Sequence, residues 1–566
     1  MLTQARLVLL AALLIAGSMF LGACAPSEKS PAADKGAGPS EVGTPKRGGI
    51  LRISNGGNSW HTMDPAIGQT PWSLWYMVGA PMIYRDIETW ELKAAVIESW
   101  DVSKDSKEVI LHVRKGVKFH NKPPANGREV EARDVVYTLK GVTGQLYPQL
   151  PEVRFPTKSD IDAMVDAEVV DKYTVKVTLS RPSSSFFHGM AHYRSTYVVP
   201  EGLREHFGGV EALYDASTLV ERAVGSGPYI PKKIENLIET VFERNPDYWE
   251  EGKPYFDAVR GVWVPDSSTE MAAFAAGQLD YKSISTADDR DFVLRSSKDA
   301  VIRNYESSCW YRMDFNNARK PFDDYRVRKA IALVVDHKKL GEAMAGTWEG
   351  QPMWRYPAPV TYPHPEALSQ EELAQHPIYR GPTPENVAEA RRLLKEAGYE
   401  NGFTFEIMYS KHAIIQDAPI IIKEDIERNL PGLKIKLTPL DAAVNFKRAV
   451  DGDFDVQHYC HVLASTGVIQ MQQAYHSKGA RNYGSYKDPV MDALLERADA
   501  ELDLNKRKEI MRQAQYKALE TVGKLPTVQL VSMMALQPWL KGVHLGGGNT
   551  IMINSKDWWF DPPPKR

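Results

Sequence analysis

Apolar positions recur along the chain with two periods, two and about three and a half, and stretches of the two kinds alternate. Gly48-Gly49-Ile50-Leu51-Arg52-Ile53 opens the folded part with an alternating strand. Val109-Ile110-Leu111-His112-Val113-Arg114, bounded by Lys115-Gly116, predicts another strand. Within Val169 to Leu179, Val175, Val177 and Leu179 oppose Thr174, Lys176 and Thr178, so one face turns to a core and the other to water. Helical spacing appears where Val327, Ala330, Ile331 and Val334 follow Asp323 or Asp324 as cap. Thr383-Pro384-Glu385 combines a cap, a first-turn proline and a first-turn acid, and predicts a helix through Val387, Ala390, Leu394 and Ala397 that stops at Gly398. Asp488-Pro489 opens a further helix through Met491, Leu494, Leu495 and Ala498, and Asn505 starts one that ends before Gly523 and Pro526. Strands interleaved with amphipathic helices predict an α/β class.

Composition narrows the functional classes. The chain has 566 residues, 43% hydrophobic and 25% charged. That length exceeds what one hydrophobic core organises, so at least two domains are expected. With 69 basic against 72 acidic residues the net charge is -3, which gives no electrostatic footprint for nucleic acid. Its 13 tryptophans and 25 tyrosines fill core for the most part, and they also suit a cleft that grips a ligand by flat apolar faces. The sequence carries no Gly-x-Ser-x-Gly elbow, phosphate loop, His-Glu-x-x-His or dinucleotide fingerprint, and Gly546-Gly547-Gly548 lacks the strand-to-helix setting of a nucleotide loop. Neither an enzyme nor a cofactor is expected.

Leu7 to Phe20 is an apolar run too short for comfortable membrane crossing and long enough for the core of a signal peptide. Leu21-Gly22-Ala23-Cys24 follows it and closely resembles the lipobox of bacterial lipoproteins. The expectation is a signal peptide over 1–23, lipid on Cys24, and a Ser-, Pro- and Gly-rich flexible tether over 24–47. The other two cysteines, Cys309 and Cys460, are read as either a disulfide of an exported protein or two buried thiols.

Four ordered stretches resemble the family 5 extracellular solute-binding proteins, which include dipeptide-, oligopeptide- and nickel-binding members. The first runs from Glu98-Ser99-Trp100-Asp101 to Leu111-His112-Val113-Arg114-Lys115-Gly116-Val117-Lys118-Phe119-His120. The second joins Gly225-Ser226-Gly227-Pro228-Tyr229 to Arg244-Asn245-Pro246-Asp247-Tyr248-Trp249 and Lys253-Pro254-Tyr255-Phe256-Asp257. The third is Phe315-Asn316-Asn317 with Lys320-Pro321-Phe322-Asp323-Asp324-Tyr325-Arg326-Val327-Arg328. The fourth joins Gly452-Asp453-Phe454-Asp455-Val456 to Asn482-Tyr483-Gly484-Ser485-Tyr486-Lys487-Asp488-Pro489. Most of these residues read as scaffold, Gly225 and Gly227 as a tight turn, and Arg326 and Arg328 as solvent-facing or paired.

The resemblance implies a two-lobed periplasmic-binding-protein fold of type II, of the large cluster C kind, with a hinge between the lobes. Lobe I would be 48–305 with 525–566 returning to it, and lobe II 306–524. It further implies an exported, lipid-anchored monomer at the periplasm or outer face of the cell membrane, which delivers a peptide or peptide-sized solute to ABC permease and ATPase subunits. Candidate ligand contacts are Asn55, Gly56 and Trp60 after the first strand, Trp310 and Tyr311 beside the crossing, Trp354, His461, Ser465, Asn482 and Tyr483. Peptide-binding members carry an aspartate for the peptide's amino group in a stretch that here reads His458-Tyr459-Cys460-His461-Val462-Leu463-Ala464-Ser465-Thr466-Gly467 and holds no acid. A modified peptide, a glycan, an opine-like compound or a metal chelate is therefore the expected cargo. The rival readings are a metal or haem receptor built on His458, Cys460, His461 and His476, and a sensor or chaperone of the same fold. Replacing Cys24→Ala should leave the mature protein unlipidated and released from the membrane fraction, as intact mass and fractionation would report.

Overall fold

The computed structural model describes residues 43–55, 72–86, 89–147, 158–191, 196–209, 216–264, 266–284, 286–411, 417–462, 466–545 and 551–564, all within one compact unit, Pro39–Arg566. Cys24 and the segments expected to be signal peptide and most of the tether lie outside them.

Alternation in the sequence becomes one-sided burial in the sheets. Ile50–Ser54 buries Leu51 and Ile53 and pairs in parallel with Ala258–Val262, at one edge of a four-stranded sheet completed by Glu239–Arg244 and Tyr229–Glu235. Glu108–Val113 buries Val109, Leu111 and Val113, while its neighbour Thr174–Leu179 buries Val175, Val177 and Leu179. Ile97–Val102 and Met164–Asp171 flank that pair in a second sheet of four strands.

The third sheet has seven strands and is organised around two long ones, Val301–Phe315 and Lys524–Leu536, which lie antiparallel side by side. Tyr281–Ile284 adds outside the second long strand, and Val456–Val462, Thr404–Ser410 and Lys434–Leu440 follow outside the first.

The helices begin where short polar side chains can hold their first N–H groups. Asp324 caps Tyr325–Ala332, Thr383 caps Pro384–Glu396 and Asp488 caps Pro489–Ala500, each accepting a backbone N–H. The last long helix is Leu504–Thr521, and its cap is Asp503 rather than Asn505: the Asp503 carboxylate accepts the Asn505 and Lys506 N–H groups. Asn505 is thus a residue that is capped, not the one that caps.

The apolar interior falls into separate clusters. One gathers the two four-stranded sheets and takes back Met534, Leu536, Trp558 and Phe560 from the carboxy-terminal part. Another runs from Tyr311 to Val528, with a neighbour built on Val468, Met471, Tyr475, Met491 and Leu495. The second long strand passes between them. It lends Leu525 and Val528 to one cluster, Met534 and Leu536 to another, and Val531, Met533 and Ala535 to a small cluster in between.

Two motif readings change. Gly225 and Gly227 have ordinary negative φ; what they provide is space, since a Cβ at Gly225 would sit 2.2 Å from the Val78 carbonyl oxygen and one at Gly227 2.5 Å from the Val78 carbonyl carbon. Arg326 pairs with Asp324. Arg328 instead is buried and donates to the carbonyls of Phe322 (2.6 Å), Thr521 (2.9 Å) and Val522 (2.9 Å). The end of helix Leu504–Thr521 leaves carbonyls without helical donors, and one guanidinium satisfies several of them. Arg328→Met should therefore lower the unfolding free energy by about 3 kcal/mol, measured by denaturant titration, because it leaves buried carbonyls unpaired.

Candidate functional site

The crossing itself is built first. Val301–Glu306 pairs with Val531–Leu536, the register then shifts, and Trp310–Asp314 pairs with Lys524–Gln529. Gln529 spans the irregularity, its amide nitrogen donating to Ser307 O (3.2 Å) and Tyr362 O (2.5 Å) and its oxygen accepting from the Tyr362 N–H (3.1 Å). Glu306 forms a largely buried ion pair with Arg355 at 3.0 Å. Cys309 is disulfide-bonded to Cys460 on the adjacent strand, so the disulfide alternative holds. Beyond the shift, Arg312 and Lys524 share the carboxylate of Asp314 at 2.6 and 3.3 Å, all three buried. Burial pushes the Lys524 ammonium down to about 8 against the pull of Asp314.

Away from the paired long strands, polar side chains join segments far apart in the chain. Asp499, on Pro489–Ala500, is fully buried, and its partners lie about three hundred residues earlier. Its carboxylate accepts the Ser185 N–H at 2.9 Å, the Ser183 hydroxyl at 3.1 Å and the Arg181 guanidinium at 3.2 Å. Nearby, the Gln473 amide donates to Asp160 at 2.8 Å and Ser159 at 3.4 Å.

Further along, Trp90 stands edge-on to His364 with ring centroids 4.5 Å apart, and the Arg85 guanidinium lies 4.5 Å from the Trp90 centroid. The buried His364 ring faces two backbone donors, the Glu366 N–H at Nδ1 and the Gly467 N–H at Nε2, both at 3.1 Å. A protonated imidazole would point hydrogens at both. Burial, then the charge of Arg85 and the neighbours His188 and Arg507, hold His364 well below 6.5. Behind it Glu366 pairs with Arg507 at 2.5 Å, and burial still raises the Glu366 carboxyl.

One cavity lies on this seam and another away from it. One of about 420 Å³ is lined by Ser159, Asp162 and Arg181 on one side and Gln472, Gln473, His476 and Glu496 on the other. The second, about 350 Å³, lies in the N-terminal half among Tyr76, Tyr84, Tyr197, Tyr248, Trp249 and Arg85. A ring of ion pairs also lines it: Lys253 to Glu250 at 2.8 Å and to Asp557 at 2.6 Å, and Lys556 to Glu250 at 2.9 Å. Aromatic walls with a few charged groups suit a small polar organic guest.

Several residues singled out in the sequence hold their own half together. Asn55 accepts the Thr240 hydroxyl at 3.3 Å and extends the first sheet through its N–H to Val262 O. Tyr311 is buried and stacks on His458. Trp354 fills a notch at Gly341, where a Cβ would come within 2.2 Å of the indole, and meets Tyr356 edge-on. Asn482 ties its own turn, bonded to the Tyr486 carbonyl at 2.7 Å and N–H at 3.0 Å. Tyr483 lies edge-on to Phe446. Trp310 and His461 face each other in the ladder, with side chains outside the description, and Gly56, Trp60 and Ser465 lie outside the described residues.

The His/Cys cluster does not converge. His458 is buried with Nε2 3.1 Å from the Thr527 hydroxyl, Cys460 is consumed by the disulfide, and His476 lies 3.5 Å from Glu496. Sequence reasoning missed Asp499, Gln473, Trp90 and His364. The structure makes Ser183 a helix cap, and the carboxylate that completes the site lies more than three hundred residues away.

Comparison with known proteins agrees with this architecture. Residues 91–459, well over half of the chain, match the model of bacterial extracellular solute-binding proteins, family 5 Middle. Heme-binding protein A of Haemophilus influenzae is 26% identical over 490 residues, covering 80% of this chain and 81% of its own. The periplasmic oligopeptide-binding protein OppA of the same organism is 25% identical over 472 residues, covering 80% and 83%. The structure of the ABC transporter-associated periplasmic binding protein DppA from Helicobacter pylori, in complex with the peptide STSA, matches with a TM-score of 0.75 at 19% identity over 91% of this chain and 98% of that one. The fold is the two-lobed one of periplasmic binding proteins. Among the described residues no helix is long and apolar enough to cross a membrane. The chain belongs to the bacterial extracellular solute-binding proteins of family 5.

Proposed function

We propose that this chain is the solute-binding component of an ABC importer, capturing a peptide or peptide-sized solute between its lobes by hinge closure. Lobe I comprises 48–305 and 525–566, lobe II comprises 306–524, and the two long strands carry the crossings. The lipidated Cys24 and the tether hold the monomeric body at the outer face of the membrane, where permease and ATPase subunits receive the cargo.

The observation that carries this reading is the chemistry of the seam. The halves touch through hydrogen-bonding side chains such as Asp499 and Gln473 and through the Trp90–His364 ring contact; their largest apolar clusters are separate, and one small cluster, which joins Met271 and Phe274 to Met353, is shared. They can part while the two largest cores stay intact, as closure around a guest requires. The acid-free run His458 to Gly467 favours peptides whose amino terminus is blocked. A haem or metal-chelate cargo is the second reading, supported by the haem-binding relative.

Native mass spectrometry of the purified full chain should reveal a co-purified species of peptide size, and an N-acetylated tetrapeptide should raise Tm more than its free-amine counterpart. A Soret band on haemin titration with no peptide response would replace the peptide reading by the haem one.

Closure should also weaken in acid. Once the lobes separate, His364 regains water and its ordinary value near 6.5, whereas the closed contact depresses it. A base depressed in the closed form favours closure above that ordinary value, and the advantage fades as pH falls below it. Small-angle scattering between about pH 7.5 and about pH 5 should show the radius of gyration rising, and His364→Gln should remove much of the rise.

A further inference from the structure

We infer that Asp499 is a latch that sets how much of the protein stands closed, independently of the solute; this rests on the two-lobe capture reading above. Every hydrogen bond of its carboxylate crosses the seam, to the Ser185 N–H, the Ser183 hydroxyl and the Arg181 guanidinium. Among the described residues none comes from its own half. The residue is wholly buried in this arrangement, and opening would return the carboxylate to water.

A buried carboxylate is costly unless donors surround it, and here one short segment, Arg181 to Ser185, supplies a cation, a hydroxyl and a backbone N–H together. The Arg181 guanidinium also pairs with Asp162 of its own half at 2.8 Å, which keeps it in place when Asp499 leaves. Gln473, bonded to Asp160 and Ser159, adds a neutral contact beside the latch.

The contact involves groups of the protein alone. It therefore raises affinity for all solutes by one common factor, through the fraction of molecules ready to close, and discriminates among none. Selectivity then belongs to the groups that touch the guest.

The test places nitroxide labels at Val169→Cys and Val490→Cys, both on exposed sites of opposite halves, in the disulfide-bonded full chain. Electron–electron distance distributions then report closure with no solute added. Asp499→Ala should lower the ratio of short to long distances about tenfold, the scale of lost charge-assisted hydrogen bonds, and Asp499→Asn should fall between it and the parent. Circular dichroism should show both folded. If Asp499→Ala fails to fold, the same shift must appear in Arg181→Ala combined with Ser183→Ala. An unchanged distribution, or a parent already dominated by the long distance, overturns the latch. Either result leaves solute capture standing, since that is judged by the co-purified mass.

Discussion

Everything in this molecule hangs on the pairing of two long strands. Val301–Phe315 and Lys524–Leu536 share backbone hydrogen bonds on both sides of a register shift, and the residues they bury change cluster along their length. The paired stretches hold the two strands in fixed relation along their length. The register lapses twice, between Glu306 and Trp310 and again between Tyr311 and Arg312. Rigidity and bending are thus assigned to different residues of the same strand.

The seam follows a complementary logic. An apolar interface would stabilise closure strongly and make opening slow; hydrogen-bonding side chains exchange their partners for water at modest net cost. Asp499 and Gln473 are of that kind. Such an interface gives an equilibrium that a guest can shift by the difference in its contacts to the two forms.

Much of the fold was legible because its causes are local. Thr383-Pro384, Asp488-Pro489 and the alternation at Val175, Val177 and Leu179 each fix one element from neighbouring residues. Legibility failed where the partner is remote. Arg328 looked like a surface charge because the carbonyls it satisfies lie near Thr521, almost two hundred positions on. Asp499 sat in an amphipathic helix, where a carboxylate on the polar face looks ordinary until the opposite half is brought against it.

The bond between Cys309 and Cys460 has a mechanical meaning. It fastens the first long strand to Val456–Val462 at the very level where the ladder to Lys524–Leu536 is interrupted. One flank of the flexure is stapled while the other is left with side-chain bridges from Gln529. The two flanks of the first long strand are thus held by different means, a covalent bond on one and hydrogen bonds on the other.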